Sequence, residues 1–245
     1  MGTPLSLYLA ASDSVDVWEA IRQNDTFGKI TLVFIVILSV YSFTVIFYKF
    51  KLLYAARTQT KAFQKVMEQD GSWETLFLAT KKFPESPLSR LLRDIYIECR
   101  MEKWFEGNPG LSLEGRLNHA KQTIEAILMK GIAQEEERLQ KQLTVLSTVS
   151  GLGPFAGLVG TVWGVLSAFQ AIGRAEGAAL ASLAPAISTA LMTTMFGLFA
   201  AIPALIAYNY FYAQVRELTS EMESFANDLE NAVRKQIARD RGAEK

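Results

Sequence analysis

Residues 142–173 read QLTVLSTVSGLGPFAGLVGTVWGVLSAFQAIG, a run of 32 residues without a charged side chain. Two further charge-free runs cover 19 residues at 30–48 and 39 residues at 177–215. A helix of about 20 apolar residues crosses the hydrocarbon core of a bilayer. The third run is just short of two crossings, and its aromatic end at 208–212 suits a membrane interface. These runs therefore predict three transmembrane helices.

The composition excludes several classes of protein. Among 245 residues, 25 are basic and 25 acidic, so no basic excess points to nucleic acid as a partner. Half of the residues are apolar, which is too many for a disordered chain. Cys99 and His119 are the single cysteine and the single histidine, which excludes an intrachain disulfide and a two-histidine metal site. No catalytic triad, phosphate-loop or metal-ligand pattern is present, so we predict neither an enzyme nor a bound cofactor.

The charges that flank the runs predict an orientation. Residues before the first run carry two basic and four acidic side chains, whereas 49–65 carry five basic ones. Lys and Arg accumulate on the cytoplasmic side, so the N-terminus is expected outside and the C-terminus inside. The predicted organisation is a periplasmic segment 1–28, transmembrane helices 29–50, 142–173 and 179–213, a cytoplasmic helical domain 51–141, a short periplasmic loop 174–178 and a cytoplasmic C-terminal helix 214–245.

Apolar residues outside the runs recur at helical spacing. Such stripes cover 88–96, 117–128 and 215–232, the last with a coiled-coil-like pattern. The middle stripe continues through Glu135–Glu137, interpreted as a solvated face, into the second run without a helix breaker. This predicts one unbroken helix there. The expected fold is an all-α membrane protein with three transmembrane helices, two of which extend into a cytoplasmic helical bundle.

The charge-free runs contain no titratable carboxylate, histidine or lysine, so this chain alone cannot supply an intramembrane proton relay. They contain small hydroxyls and glycines instead. The third run is dense in hydroxyls, which become candidate ion-pathway residues: Ser188, Thr189, Thr193 and Thr194. Residues expected to let helices approach closely, or to act as hinges that free backbone carbonyls, are Gly157, Gly160, Gly164, Pro185 and Pro203.

Three motifs resemble one family. Residues 157–164 read GLVGTVWG, 183–187 read LAPAI and 197–209 read GLFAAIPALIAYN. They closely resemble the ExbB/TolQ branch of the MotA/TolQ/ExbB proton-channel family, over about a third of the chain. The resemblance implies a ring, usually a homopentamer, in the bacterial inner membrane around a dimer of single-span ExbD/TolR-like subunits. Each partner helix would carry the intramembrane aspartate that takes up the proton. The proton motive force would then drive a TonB/TolA-like envelope effector or a gliding-type motility machine.

The resemblance also implies roles for individual residues. Thr161 and Thr194 match pore-lining positions of the family. The family often has glutamate where Thr189 stands, in a stretch that reads APAISTAL at 184–191 here, so the role of that acid is not carried over. Three alternatives stay open: a sodium-coupled motor subunit, a divergent motor such as one for gliding, and a non-conducting scaffold of an envelope complex. A solute transporter would need polar anchors at mid-membrane, and none is visible.

Overall fold

The computed structural model describes residues 25–69, 73–99, 113–174 and 184–240, and the side-chain surroundings of 25–69, 73–97, 121–173 and 184–232. In these ranges the chain forms α-helices and no strand, which confirms the predicted all-α class there. The predicted segment 1–28 and loop 174–178 lie almost wholly outside the described residues. The helices are α1 (Thr26–Gln69), α2 (Trp73–Thr80), α3 (Pro87–Cys99), α4 (Leu113–Gln140), α5 (Leu143–Arg174) and α6 (Ala184–Asp240).

Three helices are long and apolar enough to cross a membrane: α1, α5 and α6. Their number and order confirm the three predicted spans. The helices themselves run further than the charge-free runs, since α1 continues to Gln69 and α6 to Asp240. Large apolar side chains such as Ile37, Phe47 and Phe155 are 60 to 68% exposed. Exposed apolar side chains of this size suit contact with lipid or with another apolar protein surface.

The described residues group into two compact units. The first unit comprises Met1–Ile46 and Thr144–Tyr208, as far as the structure describes them, and the second comprises Phe47–Leu143 and Asn209–Lys245. The second unit has a conventional apolar core. The predicted stripe at 88–96 is buried up to Ile95 and half-buried at Tyr96, and the stripe at 215–232 is buried up to Leu229 but exposed at Ala232. Members of both meet in the core cluster with Phe63, Ile124 and Leu128. These stripes therefore form the inner faces of helices, as the spacing predicts.

The prediction of one unbroken helix through 117–172 is wrong. Helix α4 ends at Gln140 and α5 begins at Leu143. Between them Gln142 has a φ of 70°, the left-handed region that residues other than glycine rarely adopt. No proline or glycine marks this break in the sequence. A side chain from α1 stabilises the end of α4 instead, because the Lys49 ammonium donates a hydrogen bond to the Leu139 carbonyl at 2.8 Å.

Candidate functional site

Within the first unit, hydrogen bonds and a ring contact join the start of α1 to α5. Asp25 caps that helix, since its Oδ1 accepts a 2.8 Å hydrogen bond from the Gly28 amide. Its other carboxylate oxygen accepts a 2.6 Å bond from Trp163 Nε1 on α5. The Trp163 ring also packs on Phe27, with ring centroids 4.6 Å apart. Residues of α1 and α5 are thus fixed against each other within this unit.

Glycines bring α5 and α6 into close contact. A Cβ atom placed on Gly157 would lie 2.7 Å from the Cα of Thr194, closer than real side chains come. A Cβ on Gly160 would overlap the Thr193 methyl group and lie 3.3 Å from the Thr31 methyl group. The same holds further along the contact at Gly153, Gly164 and Gly197. The backbones therefore approach as closely as they do because these positions lack a side chain.

This contact brings together two of the predicted site residues. The hydroxyl oxygens of Thr161 and Thr194 are 3.5 Å apart. Thr161 donates its own hydrogen bond to the Leu158 carbonyl at 2.8 Å, which leaves its oxygen lone pairs free to accept. Both threonines are half-buried. The Thr194 hydroxyl is the donor in this contact, which is long at 3.5 Å, so one water molecule or one protonated carboxylic acid can bridge the two hydroxyls.

The other predicted hydroxyls lie in different surroundings. Thr189 is buried and donates to the Pro185 carbonyl of its own helix at 2.8 Å. Thr193 is 1% exposed, and its hydroxyl has no hydrogen-bond partner among the described residues. Ser188 is exposed. The structure therefore pairs Thr161 with Thr194 and leaves these three apart from that pair.

The prolines differ in their effect on the backbone. Pro154 lies inside α5 and Pro203 inside α6, so each removes an internal hydrogen bond and frees a carbonyl one turn earlier. Pro185 is the second residue of α6. Amides in the first turn have no intrahelical acceptor, so Pro185 removes no bond from the helix.

Sequence reasoning missed Lys49, which it used only as a flanking charge. Its side chain is 0% exposed. No Asp or Glu forms an ion pair with it among the described residues, and its bond to Leu139 is the polar contact that accounts for its burial. The one feature of the sequence that could have drawn attention to Lys49 is its place directly after a charge-free run. Many lysines at membrane interfaces share that place, so it does not identify a buried lysine.

The interpretation of Glu135–Glu137 as a solvated face is wrong for Glu135. Its carboxylate is 12% exposed and lies 3.4 Å from Arg90 and 3.0 Å from Arg138. Both arginines also contact Glu85, at 3.5 and 3.1 Å. The ionic cluster of Glu85, Arg90, Glu135 and Arg138 therefore links α4 to α3 and to the loop before it. The sequence of α4 shows the i,i+3 spacing of Glu135 and Arg138, but it gives no sign of Arg90 or Glu85.

The chain offers no metal centre in the part that the structure describes, where no three His, Cys, Asp or Glu side chains come together. Along the α5–α6 contact of the first unit, the polar groups described above are hydroxyls and the carbonyls that Pro154 and Pro203 free. Hydroxyls donate and accept hydrogen bonds but do not carry a proton as a charge at neutral pH. Such a set can hold water or a carboxylic acid, and it does not by itself relay protons.

Comparison with known proteins places the chain. The profile of the MotA/TolQ/ExbB proton channel family matches residues 101–224, just over half of the chain. The Tol-Pal system protein TolQ of Pseudomonas aeruginosa is 29% identical over 228 residues, covering 92% of this chain and 95% of that protein. The biopolymer transport protein ExbB of Xanthomonas campestris pv. campestris is 32% identical over 143 residues, covering 58% of this chain and 56% of that protein.

A second TolQ, from Haemophilus influenzae, is 39% identical over 103 residues, covering 42% of this chain and 45% of that protein. The matched family is one of proton channels. Together with the three candidate spans it supports a multi-pass protein of the inner membrane. The chain belongs to the MotA/TolQ/ExbB proton channel family, and its relatives put it in the ExbB/TolQ branch.

Proposed function

We propose that this chain is the proton-channel subunit of a machine that converts proton motive force into mechanical work on the cell envelope. The observation that carries the proposal is the Thr161–Thr194 hydroxyl pair, held at 3.5 Å on two helices of a proton-channel family member. The effector would be of TonB or TolA type, or a gliding-type machine.

A partner must supply the proton-binding group. Charge-free runs at 30–48, 142–173 and 177–215 leave the chain without a carboxylate, histidine, lysine or arginine there. An intramembrane proton site needs such a titratable group. A single-span subunit of ExbD/TolR type with an aspartate in its helix would provide it. Two such helices in a ring of this chain, a homopentamer by family resemblance, would present one aspartate to each of two subunit surfaces.

The threonine pair would act on that aspartate. From the periplasmic side a proton would reach the carboxylate, which would accept a hydrogen bond from the Thr194 hydroxyl. Once protonated, the acid could donate to a lone pair of Thr161, whose own hydrogen is bonded to the Leu158 carbonyl. Protonation removes the charge and with it most of the cost of placing the group in an apolar environment. The neutral partner helix would then step past the ring, and the proton would leave toward the cytoplasm.

The coupled ion is proposed to be the proton rather than Na⁺. A sodium site needs several oxygen ligands that point at one position. The Thr189 hydroxyl, which stands where the family often has an acid, is committed to the Pro185 carbonyl at 2.8 Å. Thr189 is no carboxylate, and the one contact between predicted pathway hydroxyls in the described residues is Thr161–Thr194, so these oxygens do not converge on one position as a sodium site requires. No bound cofactor is proposed.

The test is proton flux in liposomes from the chain co-purified with its single-span partner. We expect flux that disappears when the partner aspartate is changed to asparagine. Thr161→Ala combined with Thr194→Ala should lower flux at least about tenfold, the scale of one lost charge-assisted hydrogen bond. Thr44→Ala is the matched control, because the exposed Thr44 bonds only to the Val40 carbonyl of its own helix.

The outcomes separate the alternatives. Flux that needs the aspartate but survives the double threonine change would reduce Thr161 and Thr194 to packing residues. An intact complex without flux under an imposed gradient, and without aspartate-dependent work in cells, would favour the scaffold. Flux carried by a Na⁺ gradient in the absence of a proton gradient would replace the proton by sodium.

A further inference from the structure

The turn between α4 and α5 has an unusual construction. Helix α4 ends at Gln140, with the Lys141 amide still bonded to the Glu137 carbonyl at 2.8 Å. The last carbonyls of a helix have no intrahelical donor and need another partner. Glycine usually follows, because it adopts the left-handed conformation without steric cost. Here Gln142 adopts that conformation with a φ of 70°.

Lys49 supplies the missing donor from another helix. Its Nζ lies 2.8 Å from the oxygen of Leu139, 90 residues away in the chain. The side chain is fully buried, and so are Leu139, Leu143 and Leu146 around the turn. The ammonium group is therefore shielded from water at the point where it meets the carbonyl.

Removing the Lys49 ammonium group from water costs free energy that a negative partner must offset. Here that partner is the carbonyl end of α4. The carbonyl end of α4 carries a partial negative charge, which favours a nearby cation. The charged neighbour that acts on Lys49 is Arg138, a like charge. In the described part of the chain no carboxylate pairs with Lys49. The Leu139 carbonyl and the α4 terminus are accordingly what hold this lysine in place.

We propose that Lys49 is a positioning residue that clamps the α4–α5 turn in its left-handed form, and that proton-driven work depends on this clamp. Helix α5 starts from this turn and carries Thr161. The clamp fixes where α5 begins although Lys49 does not meet the proton. The second half of this inference rests on the proposed function, whereas the clamp itself does not.

Trypsin reports on the clamp directly. Lys141 is exposed and lies inside the turn, so cleavage after Lys141 measures how often the turn opens in the assembled full-length protein. We expect Lys49→Met, which keeps the aliphatic stem and removes the donor, to raise that cleavage rate about tenfold or more. Lys49→Arg keeps a cationic donor and should stay near the wild-type rate. Lys51→Met is the matched control, because Lys51 is exposed on the same helix.

A second substitution distinguishes the clamp from general loss of structure. Gln142→Gly removes the steric cost of the left-handed residue, so it should bring the cleavage rate of Lys49→Met back down by roughly fivefold or more. Equal cleavage in Lys49→Met and Lys51→Met would overturn the clamp. So would a raised rate that Gln142→Gly leaves unchanged, because the effect would then not reside in the turn.

Proton flux through the complex with its single-span partner tests whether proton-driven work depends on the clamp. We expect Lys49→Met to lower flux with the ring still assembled, and Gln142→Gly to restore it in the double variant. Normal flux in Lys49→Met, with raised cleavage, would show a clamp on which work does not depend. If the wild-type complex carries no flux at all, the proposed function fails, and the cleavage rates still decide whether the clamp exists.

Discussion

The indole nitrogen of Trp163 and the carboxylate of Asp25 are joined by a 2.6 Å hydrogen bond, although 138 residues separate them in the chain. The same carboxylate caps α1 through the Gly28 amide. The Asp25 side chain thus caps the start of α1 and also fastens α1 to α5. The indole is 42% exposed, so its contribution depends on the bond and the Phe27 contact rather than on full burial.

Substitutions at Asp25 and Trp163 should separate the stability contributed by the α1 cap from that contributed by the Trp163–Asp25 hydrogen bond. Trp163→Phe keeps the contact with Phe27 and removes the donor, and we expect a loss of about 0.5–1.5 kcal/mol. Asp25→Ala also removes the cap and should cost about 1–3 kcal/mol. Asp25→Asn retains a capping side chain and is the control. The measurement is thermal unfolding, where 1 kcal/mol corresponds to roughly 2–4 °C for a chain of this size. A Tm for Asp25→Ala equal to that of Asp25→Asn would contradict this account.

Gly157→Ala should destabilise the first unit by about 1–3 kcal/mol. The added methyl group would meet the Thr194 Cα at 2.7 Å and the Thr193 carbonyl at 3.1 Å, and backbone atoms cannot rotate away. Gly151→Ala is the matched control on the same helix, since nothing lies within 4 Å of its added Cβ. That control should be neutral or more stable by up to about 1 kcal/mol, because alanine favours helix. Equal effects on Tm would refute close packing at Gly157.

A double-mutant cycle should detect the contact between Gly160 and Thr193. Gly160→Ala alone overlaps the Thr193 methyl group, and Thr193→Ser removes that methyl group. We expect the double variant to be more stable than the sum of the single effects by about 1 kcal/mol. Gly164→Ala with Thr193→Ser is the control cycle, because the neighbour of Gly164 is Ala190. Comparable coupling energies in the two cycles would rule out the specific contact.

Glu135→Gln should weaken the second unit by about 1–3 kcal/mol, because two arginines lose a shielded carboxylate partner. The comparison is Arg93→Gln, whose partner Asp94 lies 3.9 Å away with both side chains more than 40% exposed. Exposed pairs contribute little, so this change should stay within about 0.5 kcal/mol. Unfolding of the purified protein measures both. A smaller effect at Glu135 than at Arg93 would show that burial does not strengthen the ionic cluster.

The parts of the fold that the sequence predicts are those set by local composition. Lipid excludes charge, so the runs at 30–48, 142–173 and 177–215 mark α1, α5 and α6. Burial of one helix face imposes a 3.6-residue period on the apolar residues, so the sequence also predicts the buried face at 215–229. Neither rule depends on which other segment a helix contacts.

The parts that escape prediction depend on distant residues. Nothing at Lys141 or Gln142 breaks a helix, and the donor that supports the turn comes from Lys49. Glu135 looks solvated until α3 brings Arg90 beside it. The residue type does not distinguish Thr193 from its neighbour Thr194. The Thr193 side chain packs against Gly160, whereas Thr194 meets Gly157 with its backbone and places its hydroxyl near Thr161.

Helix α6 runs without interruption from Ala184 to Asp240. At about 1.5 Å per residue, Phe211 and Leu229 of the second unit are separated by roughly 27 Å along this helix. Because no loop lies between these two residues to absorb torsion, a rotation of α6 about its axis at one of them must appear at the other. The end of α4 differs, since the main chain leaves the helical path at Gln142. Within the second unit, torque would therefore be carried along α6 by continuous backbone hydrogen bonds, whereas the end of α4 would resist torque through the bond from Lys49.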